Sequence, residues 1–307
     1  GLPMAGLRAL QVLRKLGARA RGRLCSARAA SQSAHPISAY DRDGYAVPDL
    51  RLTAEQLETA RRAVDSVLER NSHLQPEQLV NAHLQEESRS DKQAGRVHGS
   101  SDLMRLACLP IITGLAAHCL GTNDVILWAC QLFAKPPRKG RAVPWHQDGV
   151  YWPIEPLNAC TVWIAIDRSG SENGGLQVIP GSHSRALKHA TIDGDRPYGE
   201  SAIRVAILPE TLGKEMMERA VDLNLDPGMM SVHDSMLVHG SKSNLSGSRR
   251  AGLAISFMAA NCHFRRDVQT FAAREGGLEL DFSNRPLVQV RGKNRHPGNT
   301  HFIPAPY

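Results

Sequence analysis

In the stretch "VPWHQDGVYWP", His146 and Asp148 stand two residues apart. On an extended chain residues i and i+2 share a face, so an imidazole and a carboxylate project together while Gln147 points the other way. Side by side they make two arms of a metal site, and the third arm must come from elsewhere. The chain has thirteen histidines, so twelve besides His146 compete for that role. His35 borders the N-terminal leader, and His73, His83, His98 and His118 fall in a helical half. His183 and His189 follow a turn, and His296 and His301 lie in a polar tail. His233 and His239 share one expected strand, "SVHDSMLVHGS". His239 ends that strand, just before Gly240 and Ser241, and sites usually sit at strand ends and the loops beyond them. His233 and Asp234 imitate a second metal pair, but adjacent strand residues face apart, so that pair reads as structural.

Two histidines and one aspartate with open coordination positions form the ligand set of non-haem Fe(II) oxygenases, which leave three positions for a cosubstrate and O2. Zinc hydrolases also use two histidines and a carboxylate. Two strand histidines beside a surface aspartate, with no metal, is the plain alternative. The segment "SGSRRAGLAISFM" bears on the choice. In a strand, Arg249 shares a face with Ala251, Leu253, Ile255 and Phe257, which suits packing. Arg250 shares the other face with Gly252, Ala254 and Ser256, all small, as if space were kept. An arginine entering such a cavity wants an anion, ideally a carboxylate held bidentately. Arg250 is therefore the expected anchor of an acid cosubstrate. A one-residue slip would make it an ordinary surface arginine.

The elements that must position these residues can be read coarsely. "TAEQLETARRAVDSVLERN" (53–71) predicts a helix opened by a Thr53–Gln56 capping box, with Leu57, Ala60, Val64, Val67 and Leu68 on one face. A second helix is expected from Pro76 through "PEQLVNAHL". "SDLMRLACLPIITGLAAHCLG" predicts two short helices broken at Pro110 and ended by Gly121. After Gly121 the texture turns to strands: "DVILWACQLFAK", "ACTVWIAID", "GGLQVIPGSH", "MMSVHDSMLVHGS" and "RRAGLAISFMAA". There is no strand–helix–strand rhythm and no glycine-rich phosphate loop. Helices first and an all-β block after suggest an α+β, mainly β domain with a sandwich or barrel core.

Four motifs taken in order, "QLFAKPP…WHQD", "CTVWIAID", "SENGGLQVIPGSH" and "VHGSKSN…RRAGLAISF", resemble the phytanoyl-CoA dioxygenase family of Fe(II)/2-oxoglutarate oxygenases, over roughly residues 40–260. The resemblance implies a double-stranded β-helix (jelly-roll, cupin-like) core with N-terminal helices packed on one sheet. It implies Fe(II) held by His146, Asp148 and His239, and 2-oxoglutarate with its far carboxylate on Arg250 and Ser241 nearby. Gln131, Gln147 and Trp163 fall where the family lines the cosubstrate pocket, and Lys92 or Arg96 from a polar loop is expected to approach it. The implied reaction hydroxylates an unactivated C–H bond of a small organic or acyl(-CoA) substrate with O2, releasing succinate and CO2, and ascorbate is the expected reductant. Relatives that halogenate replace the carboxylate at Asp148 with a small residue, so its presence points to hydroxylation. A silent jelly-roll binding protein, or a zinc hydrolase on the same ligands, are the alternatives. Tyr151 and Trp152 suit a substrate pocket or core packing equally. Arg138, Lys139 and Arg141 form a basic turn that could meet phosphates or simply be solvated.

The net charge of +7 belongs wholly to the leader: residues 1–40 carry seven basic residues and no acid, which leaves 30 basic against 30 acidic residues in the rest. A leader rich in Arg, Ala and Ser, with Leu7, Leu10, Leu13 and Leu16 in a rough stripe, reads as a mitochondrial presequence over residues 1–36, ahead of a catalytic domain over 37–307. It lacks the basic–aliphatic–x5–His/Gln peroxisomal pattern. No basic patch alternates with aromatics, so nucleic-acid binding is not expected. No apolar run reaches the ~18–20 residues of a membrane span. Six cysteines without a paired spacing suggest free thiols.

Overall fold

The Thr53 side chain accepts from the backbone N–H of Gln56 (3.2 Å) and the Gln56 side chain accepts from the N–H of Thr53 (2.9 Å), so the capping box opens helix α1, Ala54–Arg70. Its buried face is Ala60, Ala63, Val64 and Val67. Helices α2 (Ser101–Ala107) and α3 (Pro110–Leu120) follow. Proline starts α3, and Gly121 ends it at a φ of +68°, a left-handed conformation that glycine adopts without a Cβ penalty. This computed structural model describes residues 38–85, 97–191, 205–267 and 282–306. The leader, Lys92 and Arg96 lie outside them.

The strands used below are, in chain order, β1 (Tyr45–Ala46), β2 (Leu79–Val80), β3 (Val125–Lys135), β4 (Val143–His146), β5 (Ala159–Ala165), β6 (Leu176–Val178), β7 (Val221–Asp222), β8 (Met230–Asp234), β9 (His239–Ser241), β10 (Arg250–Ala259), β11 (Leu287–Arg291) and β12 (Phe302–Ile303). The large sheet runs β1-β8-β5-β10-β3-β11-β12, with β2 also on β3, and the small sheet runs β7-β6-β9-β4. These pairs are antiparallel except β11 with β12. This is the jelly-roll expected from the four motifs.

Alternation along the large sheet sorts its residues between two compartments. Leu253, Ile255 and Phe257 of β10, Val162 and Ile164 of β5 and Val232 of β8 share one core with Val64, Leu103, Ile112 and Leu115 of the helices. The opposite face looks toward the small sheet: Trp163 and Ala254 share a cluster with Leu176 and Val178. Arg249, on the helix side as expected, pairs with Asp167 (2.8 Å) and Asp65 (2.6 Å). No single helix among the described residues is long and apolar enough to cross a membrane.

Two expectations are corrected. The segment after Pro76 is not a helix. Leu79 and Val80 instead form β2, paired with Leu132 and Gln131, which buries Leu79 completely. An unpaired edge of β3 was available, and ladder bonds plus burial outweigh a modest helical propensity. "SVHDSMLVHGS" is not one strand either. A turn at 235–238 separates β8, in the large sheet, from β9, in the small one. The turn is held by Asp234, whose side chain accepts from the Met236 N–H (2.8 Å).

Loss of the capping side chain removes acceptors for α1 without touching the sheets. Thr53→Ala should cost about 1 kcal/mol, read as a lower urea midpoint with an unchanged slope.

Candidate metal and cosubstrate site

Strands β4 and β9 are neighbours, and their register sets His146 directly opposite His239, with ring centroids 4.1 Å apart. In each ring Nδ1 lies against a backbone carbonyl two residues back, Pro144 O at 2.8 Å and Leu237 O at 2.9 Å. A carbonyl only accepts, so Nδ1 carries the proton and the Nε2 lone pair is left free. Those lone pairs meet Asp148, whose Oδ1 lies 3.5 Å from His146 Nε2 and Oδ2 3.9 Å from His239 Nε2. One ligand atom from each of the three lies within 4.8 Å of the others, and this is the one such group of three found among the described residues. Two oriented lone pairs and a carboxylate, mostly shielded from water, fit a divalent metal with open positions.

The chain between the two β4-side ligands is held from behind. The N–H of Gln147 donates to His189 Nε2 (2.9 Å), while His189 Nδ1 donates to Leu187 O (3.0 Å). The Gln147 amide donates to Arg185 O (2.8 Å) and Met236 O (2.7 Å) and accepts from the Leu187 N–H (2.8 Å). Gln147 is thus fully buried and spent on the scaffold. Its expected place on the cosubstrate pocket is corrected: alternation sends it to the far side of the strand from His146 and Asp148. Tyr151 donates its hydroxyl to Asp148 Oδ1 (2.7 Å), and Trp152 packs edge-on against Trp128, 4.7 Å between centroids. Of the two aromatics, one steadies the carboxylate and the other is core.

Burial opposes ionisation of Asp148, and the hydrogen bond that it accepts from the Tyr151 hydroxyl favours the charged form. Burial pushes His239 well below an ordinary histidine, and pushes both His189 and His233 down to about 4.

A cavity leads from His239 to Arg250, bounded by Trp163 and Phe133 on the large sheet and by Val143, Leu176, Gly240 and Ser241 on the small one. Arg250 donates to Gly174 O (2.9 Å), a carbonyl presented by the "SENGG" turn, and lies 5.8 Å from the Trp163 ring centroid. Its Nε is buried without a partner. Burial lowers Arg250 to about 10. Lys135 lies beside it, fully buried, donating to Ser241 Oγ (2.6 Å) and to the carbonyl of Lys242. Burial, and then Arg250, push Lys135 down to about 6. An arginine whose hydrogen bonds go to the backbone carbonyls of Phe133 and Gly174, with the Lys135 amine beside it, makes an anion-binding end to the cavity. The small face of β10 has its reason here: a Cβ on Gly252 would lie 2.1 Å from Trp163, so glycine lets the indole lie flat on the strand.

The structure therefore brings together His146, Asp148 and His239, and separately Arg250, Ser241 and Trp163, as the sequence reading expected. Gln131 lies on the same face of the sheet, opposite Ala254, but is not a wall of this cavity. Its amide oxygen accepts from Gln78 (3.2 Å). Lys135, His189 and Tyr151 were missed as site residues. Lys135 follows Gln131 and Phe133 at a spacing of two, which was a readable signal. His233 was read as structural. It does face away from Asp234, but it lines the cavity, with its ring centroid 4.7 Å from that of His239. Arg141 of the basic turn pairs with Glu77 at 3.3 Å.

The profile of the Phytanoyl-CoA dioxygenase (PhyH) family matches residues 40–252. Ectoine dioxygenase from Sphingopyxis alaskensis is 28% identical over 274 residues, covering 84% of this chain and 88% of that protein. Peroxisomal phytanoyl-CoA dioxygenase from Bos taurus is 28% identical over 167 residues, 53% of this chain and 48% of that one. Among solved structures, the apo form of the non-heme monooxygenase ThoJ superposes with a TM-score of 0.63 at 23% identity, covering 88% of this chain and 86% of that chain. That likeness is one of fold.

The depressed histidines carry a pH dependence with a definite sign. Between pH 4 and 6.5 the unfolded chain protonates His189 and His233 and the native chain does not, so stability falls as pH falls through that window. Each contributes up to about 1.4 kcal/mol per pH unit. Urea midpoints of the metal-free protein should drop steeply from pH 6.5 to 5, and less steeply in His189→Gln. A flat profile would contradict the burial of these rings.

Proposed function

This chain belongs to the phytanoyl-CoA dioxygenase family, and from that membership we propose that it is an Fe(II)- and 2-oxoglutarate-dependent hydroxylase of a small organic substrate. The observation that carries the reading is the pairing of two features in one cavity: three convergent ligand atoms at one end and, at the other, a buried arginine whose hydrogen bonds go to backbone carbonyls.

His146 and His239 would hold the metal through Nε2, because their Nδ1 protons are committed to carbonyls. Asp148 supplies the anionic arm, and Tyr151 keeps one of its oxygens fixed. Arg250 would take the far carboxylate of 2-oxoglutarate in a bidentate grip. Ser241 would add its hydroxyl proton, which is free to point at the ligand because Lys135 already donates to its oxygen. Trp163 is one wall of the cavity. When bound, the metal and cosubstrate supply the oxidising power, converting 2-oxoglutarate and O2 to succinate and CO2 with hydroxylation of the substrate. A carboxylate at Asp148 leaves no room for a halide ligand, which supports hydroxylation.

A small substrate is favoured over an acyl-CoA by the reach of the similarity. The likeness to ectoine dioxygenase spans nearly the whole of both chains, whereas that to the peroxisomal acyl-CoA enzyme spans about half of each. Arg141, one of three basic residues in the turn beside the cavity, is already engaged by Glu77. For residues 1–36, the acid-free, Arg-rich composition supports a mitochondrial presequence ahead of the catalytic domain. Uptake and shortening of the full chain by isolated mitochondria would test it, and exclusion would refute it.

With Fe(II), ascorbate and 2-oxoglutarate, the protein should form succinate and bind one metal ion per chain. Asp148→Ala should abolish turnover with an unchanged circular dichroism spectrum. Arg250→Leu should raise the KM for 2-oxoglutarate at least tenfold, the size of a lost charge-assisted bidentate contact. Metal-dependent activity that ignores 2-oxoglutarate would replace this reading with a hydrolase.

A further inference from the structure

His233 is 2% exposed, and neither of its ring nitrogens has a hydrogen-bond partner. Leaving a buried imidazole unsatisfied is unfavourable, and native proteins rarely do so away from a functional site. Two polar neighbours, Thr161 and Asp234, are engaged elsewhere. Thr161 faces it across the strand pair, but the Thr161 hydroxyl lies 3.2 Å from Ser256 Oγ and the two bond each other. Asp234, the adjacent carboxylate, points to the other face of β8, where it accepts from the Met236 N–H. The ring instead opens onto the cavity shared by His239 and Arg250.

The position within that cavity is set by register. Arg250 pairs with Lys135, Gly252 with Ala165, Ala254 with Trp163, and Ser256 with Thr161, which in turn faces His233. His233 is therefore level with Ser256, six residues along β10 from Arg250, roughly 20 Å of strand at about 3.3 Å per residue. The arginine reaches in from one end and the imidazole from the other, with Trp163 between them. His233 is at the metal end, its ring centroid 4.7 Å from that of His239, yet it does not belong to the cluster of ligand atoms. It is placed to hydrogen-bond something bound at the metal without coordinating the metal.

The guanidinium of Arg250 lies 5.8 Å from the Trp163 ring, which covers Gly252, so the side chain runs along the cavity, and a dicarboxylic cosubstrate with its outer carboxylate there would direct its other carboxylate toward the metal end. A carboxylate accepts only, and an imidazole always carries at least one N–H, so the two are complementary. We propose that His233 is a cosubstrate-binding residue whose ring N–H donates to the inner carboxylate of 2-oxoglutarate, the group released as CO2. The inference rests on the function proposed above and adds a second polar anchor at the reactive end. Held at both ends, the cosubstrate would keep one orientation.

The experiment is a titration of 2-oxoglutarate into the anaerobic Fe(II)-loaded protein by calorimetry, with Fe(II) affinity measured separately for each variant. His233→Phe keeps the ring's bulk and loses the donor, and His233→Gln keeps a donor. The expected result is at least a tenfold loss of 2-oxoglutarate affinity in His233→Phe, Fe(II) affinity within twofold of the parent, and recovery to within threefold in His233→Gln. The metal-free His233→Phe protein should melt no lower than the parent, because an unsatisfied buried imidazole has been removed. Unchanged 2-oxoglutarate affinity in His233→Phe overturns the inference. So does a matching loss of Fe(II) affinity, a failure of glutamine to do better than phenylalanine, or a lowered melting temperature, each of which marks a packing or metal role. Absence of 2-oxoglutarate binding by the parent protein is a different result, since it removes the functional reading itself.

Discussion

The site depends on one cross-strand pair. β4 and β9 meet in a register that sets His146 opposite His239, and each ring is turned by a hydrogen bond from Nδ1 to the carbonyl two residues earlier. A carbonyl cannot donate, so this bond settles the tautomer and leaves two Nε2 lone pairs facing one point. Asp148 is delivered to the same point because the chain stays extended through Gln147 and turns only afterwards. Slipping the pair by one residue would send both imidazoles to the wrong side, and no other residue could restore the cluster.

Much of the surrounding structure serves to prevent that slip. The β4–turn segment is pinned from outside the sheet by His189 and by the Gln147 amide, whose partners lie on the 182–187 loop and on the turn that precedes His239. Ser182 adds a further tie, accepting from the Val238 N–H (2.9 Å). The loop that follows β6 thus braces the approaches to the strands of both His146 and His239. Buried polar side chains with every donor and acceptor occupied specify a unique arrangement, which an apolar filling of the same volume would not.

The cavity face shows the opposite accounting. Arg250 Nε and both nitrogens of His233 are buried without partners, and Lys135 lies beside Arg250. Each such group costs about 1–3 kcal/mol in the empty protein. The large helix-packed core on the other face of the same sheet supplies the stability to tolerate them. The polar groups left open are those that a dianionic cosubstrate would satisfy, so stability and binding are in tension on the two faces of one sheet.

What the sequence determined by itself was local or periodic. The capping box of α1, the Pro110 and Gly121 boundaries, and the two-residue alternation that separates Arg250 from Arg249 and His146 from Gln147 follow from backbone geometry within a few residues. The order of four motifs was specific enough to bring the jelly-roll and the metal triad with it. Tertiary structure alone decided everything that depended on which strand lies beside which. It drew Leu79 and Val80 out of a helical pattern onto the open edge of β3, and it broke "SVHDSMLVHGS" between two sheets. It spent Gln147 on the scaffold, set the Lys135 amine against Ser241, and turned His233 toward the cavity. Periodicity tells which face of its own strand a side chain occupies, but hydrogen bonding between distant strands decides what that face looks at.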